Sequence, residues 1–122
     1  SDEYDSLGYT VHDLIRWLRP MIGLLDAIHV SSGGNSPNQR EVREVPGYIL
    51  DDAQWIKNKL KLPVIGVGLI NTPSIVKSSF EKYPVDFVAV GRKLLSNPNF
   101  YLDCCRYYRR EDFIFKGYLR AY

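Results

Sequence analysis

The sequence predicts an α/β chain built on a parallel sheet. Short apolar runs alternate with segments of helical periodicity, which gives the order βαβαβ behind a first helix. The run Val64-Ile65-Gly66-Val67-Gly68-Leu69-Ile70 is almost entirely apolar, as a strand buried on both faces requires. The segments between the apolar runs are long enough for the crossovers that parallel neighbours need, about a dozen residues or more.

Each element has a local reason. Thr10 followed by Asp13 resembles a capping box with Asp in place of Glu or Gln. Val11, Leu14, Ile15 and Leu18 then recur at i, i+3, i+4 and i+7, one face of a helix that Pro20 and Gly23 punctuate. Residues 26–31 read as the first strand, bounded by Gly33 and Gly34. Residues 32–47 are rich in Ser, Gly, Asn, Pro and charge and read as a long polar loop, a type that is often functional. Residues 51–60 return to helix, with Ala53, Ile56 and Leu60 on one side and Lys57, Lys59 and Lys61 on an outer face.

Residues 64–70 form the second strand. Thr72 is the N-cap and Pro73 the first residue of a helix reaching Lys82, where Pro84 stops it. Residues 86–91 are the third strand, followed at once by a short helix at 92–95. Asn97-Pro98 restarts the chain into a helix around 100–108. Periodicity leaves two architectures open: a doubly wound open sheet, or a segment of a (β/α)8 barrel.

Composition narrows the functions. The chain has 122 residues, 45% hydrophobic and 25% charged, which suits one domain spanning residues 1–122. It is too short for a complete (β/α)8 barrel of ~200 residues or more. Sixteen basic residues against 14 acidic give a net charge of +2, no electrostatic footprint for nucleic acid. No apolar run approaches the ~18 residues of a membrane helix. Cys104 and Cys105 are adjacent, which offers no metal-ligand spacing and fits a reducing, cytoplasmic setting. Met21 is the only methionine, so the chain does not open on an initiator; processing or a boundary within a longer polypeptide would each explain this.

The Gly66-Val67-Gly68 turn does not make a dinucleotide fingerprint, because the third glycine position holds Asn71 and Asp86 starts the next strand instead of ending it. A phosphate site is the better reading. Gly68-Leu69 and Gly91-Arg92 end consecutive strands, so their C-terminal ends would be adjacent. Glycine lets an anion approach the backbone, and the helix behind Gly91 starts without an intervening loop. Barrel enzymes often bind phosphate at such a place. The competing reading is two glycines ending two strands for packing alone.

The blocks Pro63-Val64-Ile65-Gly66-Val67-Gly68-Leu69-Ile70 and Asp86-Phe87-Val88-Ala89-Val90-Gly91-Arg92-Lys93-Leu94-Leu95-Ser96-Asn97-Pro98 resemble the last third of the old yellow enzyme family, FMN-dependent NAD(P)H oxidoreductases on a (β/α)8 barrel. His29-Val30-Ser31-Ser32-Gly33-Gly34, with Pro46-Gly47-Tyr48 after it, is similar to the bacterial branch that includes enoate reductase-like NADPH dehydrogenases. The resemblance implies the C-terminal three strands of a TIM barrel with their helices. It implies that Gly91 and Arg92, with Gly68 and Leu69 beside them, hold the FMN phosphate, and that Ser31 and Ser32 end a strand on the cofactor side.

Tyr118-Leu119-Arg120-Ala121-Tyr122 is similar to the C-terminal ending of that branch, where an arginine crosses a dimer interface into the neighbouring active site. The resemblance therefore makes Arg120 a substrate-side candidate, although the residues after it depart from the family's Gly-Trp. It places the flavin-ring arginine, the substrate-binding histidines and the proton-donating tyrosine ahead of Ser1, so no catalytic residue falls in this segment and the isolated chain is expected to be inactive. His29 is expected inside a strand and His12 exposed on a helix.

The expected activity of the complete barrel is hydride transfer from NAD(P)H through FMN to an activated alkene or another small-molecule acceptor. A different barrel-derived phosphate-binding enzyme, or a truncated non-catalytic module, are the alternatives. Three parallel strands cannot close a barrel, so the chain is expected to be a homo-oligomer, to pair with a preceding part, or to be poorly stable.

Overall fold

The computed structural model describes residues 4–41 and 45–121. Helix α1 spans Val11–Leu18 and is closed at its start by the expected capping box: the Asp13 amide donates to the Thr10 hydroxyl, and the Thr10 amide donates to the Asp13 carboxylate. A 3-10 segment, Arg19–Leu24, carries the chain to strand β1, Ile28–Val30. Helix α2 spans Leu50–Leu60, β2 Val64–Gly66 and α3 Pro73–Lys82. Strand β3 is Phe87–Val88, and the short α4, Arg92–Ser96, precedes α5, Phe100–Tyr107. Two further 3-10 segments, Glu111–Phe113 and Lys116–Ala121, follow.

The three strands form one parallel sheet in the order β1-β2-β3. This is the α/β arrangement read from the sequence. The strands are shorter than the apolar runs that announced them. β2 stops at Gly66 because the backbone then leaves the extended region, with φ +127° at Gly68 and +48° at Leu69.

Register sorts the side chains onto two faces. Ile28 and Val30 pair with Val64 and Gly66, and Val88 pairs with Gly66 on the same face. There Val30 and Val64 are buried against Ala53, Ile56 and Leu60 of α2, with Ile15 of α1 in the same core. Gly66 is required by this packing, since a Cβ would lie 2.6 Å from Leu50 Cδ2. α2 ends in a left-handed Lys61, at φ +59°, whose amide donates to the Lys57 carbonyl. The other face carries the row His29, Ile65 and Phe87 across all three strands. His29 is exposed and Phe87 is 57% exposed, so this face is largely open.

The outer-face reading of the lysines needs one correction. Lys59 and Lys61 are exposed, but Lys57 Nζ donates to the Pro84 carbonyl at 2.7 Å and to Asp86 Oδ1 at 2.8 Å. The long stem lies along the sheet edge and delivers its charge to the start of β3. Asp86 Oδ2 also accepts from the Val64 amide at 2.8 Å, so one carboxylate binds α2 and β2 together.

A second cluster, Leu102, Cys105 and Ile114, holds α5 to the C-terminal segment. Beside it lies an apolar depression of about 1310 Å³ between α3, β3 and α5, lined by Phe80, Phe87, Tyr101 and both cysteines. Both cysteines lie on α5, with Cys105 buried and Cys104 partly so. Burial pushes the Cys104 thiol up, so little thiolate is present at neutral pH. The Tyr108 hydroxyl donates to the Pro73 carbonyl and ties α5 to the start of α3.

Candidate anion site at the strand ends

In a parallel α/β sheet every strand delivers the chain to the same edge, so residues following each strand converge there. A cavity of about 580 Å³ occupies that edge. Ser31, just beyond β1, contributes to its wall. The turn after β2 supplies residues 67–72, including Gly68, Leu69 and Asn71, and the segment after β3 supplies Ala89, Gly91, Arg92 and Lys93. Tyr48 and Ile49, immediately before α2, complete it, with Ser96 at the end of α4.

Gly68, Leu69, Gly91 and Arg92, named from the sequence on spacing and resemblance, therefore line one cavity, and Ser31 joins them. Arg120 lines neither this cavity nor the apolar depression; it is exposed in the last 3-10 segment. Tyr122, which shared its motif, lies outside the described residues.

The two glycines serve different ends. At Gly91, the N-cap of α4, an added Cβ would meet nothing within 4 Å, so the backbone is open to an approaching ligand. At Gly68 an added Cβ would lie 3.2 Å from the Ile49 amide nitrogen and 3.3 Å from the Tyr48 ring. Its missing side chain makes room for the turn before α2. Leu69 holds a left-handed conformation without being glycine, and such strain gathers at ligand-binding turns.

Positive charge enters from one side. Arg92 opens α4 on the cavity wall; Lys93 follows it with its ammonium over the Phe100 ring, and the wall's other side chains are neutral. The first amides of a helix have no intrahelical acceptor and favour an anion in front of them. Thr72 is spoken for: its hydroxyl accepts from the Ile75 amide at 3.3 Å and caps α3. The arrangement can hold a compact anion at one end and a neutral, partly apolar body along Tyr48, Ile49 and Val67.

The chain is 34% identical over 115 residues to NADPH dehydrogenase from Clostridium acetobutylicum. That alignment takes in 94% of this chain and 33% of the relative, so the chain spans about a third of that relative's length. No family model matches it. Among the described residues, no group of His, Cys, Asp and Glu could hold a metal ion, and no helix is long and apolar enough to cross a membrane.

Pro46-Gly47-Tyr48 carries only a resemblance in the sequence, and nothing there assigns Ile49 or Asn71 to a site. The usable signal was a Pro-Gly turn directly ahead of α2, a place that a parallel fold brings to the ligand edge.

Proposed function

We propose that residues 1–122 are a C-terminal segment, about the last three strands with their helices, of a (β/α)8 barrel. The enzyme is an FMN-dependent NAD(P)H oxidoreductase of the old yellow enzyme type. The observation that carries the reading is the convergence of Gly68, Leu69, Gly91 and Arg92 on one cavity at the ends of consecutive parallel strands. The identity with NADPH dehydrogenase from Clostridium acetobutylicum supports it.

The residues present suit the phosphate end of FMN. Arg92 brings a cation to the wall, Gly91 leaves the backbone open, and the lining other than Lys93, whose ammonium lies over the Phe100 ring, is neutral. An arginine–phosphate contact is charge-assisted and geometrically selective. Bound FMN would supply the redox chemistry, taking hydride from NAD(P)H and giving it to an activated alkene or another acceptor. This chain's residues bind the phosphate and thereby orient the flavin; the proton-donating acid belongs to another part of the barrel. Arg120 belongs on the substrate side, across a homo-oligomer interface, and the setting is cytoplasmic.

The test is a fluorescence titration of the chain with FMN and with riboflavin, which lacks the phosphate. FMN should bind more tightly, and Arg92→Ala should remove roughly ten-fold of its affinity while leaving riboflavin unaffected. Equal affinities for the two flavins would overturn the phosphate assignment. Tight binding of a sugar phosphate with no flavin binding would overturn the flavin and point to another phosphate-binding barrel.

A further inference from the structure

We infer that the turn formed by Gly47, Tyr48 and Ile49 is a clasp that sets the shape of the anion site, and that these are positioning residues for the bound phosphate. The inference rests on the anion reading of the cavity and goes beyond it, because it assigns a role to residues ahead of α2 that bear no charge.

Three independent contacts seat the turn on the end of β2. The Gly47 amide donates to the Gly68 carbonyl at 2.6 Å, a bond between segments far apart in the chain. Gly68 sits at φ +127°, with the Ile49 backbone and the Tyr48 ring filling the space of a Cβ. Below it, Leu50 occupies the space beside Gly66. The turn and the β2 end are therefore complementary along three glycines, and neither can shift without the other.

That seat fixes the next residue. Gly68 leads into Leu69, which is held at φ +48° without the steric freedom of glycine. Such a conformation persists only when surrounding structure over-determines it. Ile49, buried at 2% exposure, and the Gly47–Gly68 bond supply that constraint. The part of the wall that Leu69 contributes is thus shaped by the clasp. An anion held in this cavity should in turn stabilise the closed clasp, since a ligand favours the state it binds better.

The experiment uses the whole chain, with FMN and riboflavin as probes and two readouts. Hydrogen exchange at the Gly47 amide should slow on saturation with FMN and change less with riboflavin. Gly68→Ala, which displaces the turn, should weaken FMN by roughly ten-fold or more and speed hydrogen exchange at the Gly47 amide. A Gly47 amide indifferent to FMN would overturn the clasp even if the variant does not fold. So would a folded Gly68→Ala protein with unchanged FMN affinity. An unaltered chain that binds neither FMN nor inorganic phosphate would remove the anion site, and the clasp with it.

Discussion

Lys57 and Asp86 meet at 2.8 Å across the boundary between α2 and β3, and Asp86 holds the Val64 amide with its other oxygen. The Lys57 ammonium and then the Val64 amide hold the Asp86 carboxyl below its ordinary value. A carboxylate with a depressed folded-state pKa adds stability above its unfolded pKa, and that contribution is lost as pH falls through the folded value. The loss should therefore begin near pH 4 and continue downward. Asp86→Asn should cost about 1–2 kcal/mol at pH 7 and flatten this acid limb, as read by urea denaturation at several pH values. An unchanged acid limb would show that the contact contributes nothing in solution.

The start of α3 depends on one hydroxyl. Thr72→Ala removes the acceptor for the Ile75 amide and should lower stability by about 1 kcal/mol, whereas Thr72→Ser should keep most of it. Thermal melting of the two variants side by side separates loss of the cap from loss of the methyl group.

Leu50 and Gly66 form a size-matched pair. Gly66→Ala brings a Cβ to 2.6 Å from Leu50 Cδ2 and 3.1 Å from Val85 Cγ1, an overpacking that costs typically ~1–3 kcal/mol. Leu50→Ala opens a hole in the core and should cost about 2–5 kcal/mol. In the double variant the new methyl enters the space left by Leu50, so the two losses should sum to less than their separate values. Additive losses in denaturant titrations would count against direct packing.

The open sheet face should drive association. Phe87 is 57% exposed in the row with His29 and Ile65. Sedimentation velocity on the isolated chain should show species larger than a monomer, and Phe87→Ser should shift the distribution toward monomer. A cooperatively folded monomer at all concentrations would exclude that role for the face.

Much of the secondary structure was legible because its signals are local. Thr10 with Asp13, and Thr72 with Pro73, mark helix starts through hydrogen bonds made within one turn, so α1 and α3 begin where the residues say. The strand ends were not legible. Residues 67–70 are as apolar as those before them, but Gly68 and Leu69 turn away because the chain segment before α2 occupies the adjoining space. Lys57 read as a solvated lysine because its partner lies on another element.

The sequence by itself determined the α/β class and the parallel sheet, and it offered Gly68, Leu69, Gly91 and Arg92 as site candidates. Each depends on periodicity, caps or the resemblance carried by contiguous motifs. Only the tertiary structure decided that Tyr48 and Ile49 share their cavity, that Gly68 is small for packing and Gly91 stands open, and that Lys57 reaches Asp86. The physical reason is range: hydrogen bonds within a turn are written in neighbouring residues, whereas cavity walls are made by side chains that meet only after the sheet has formed.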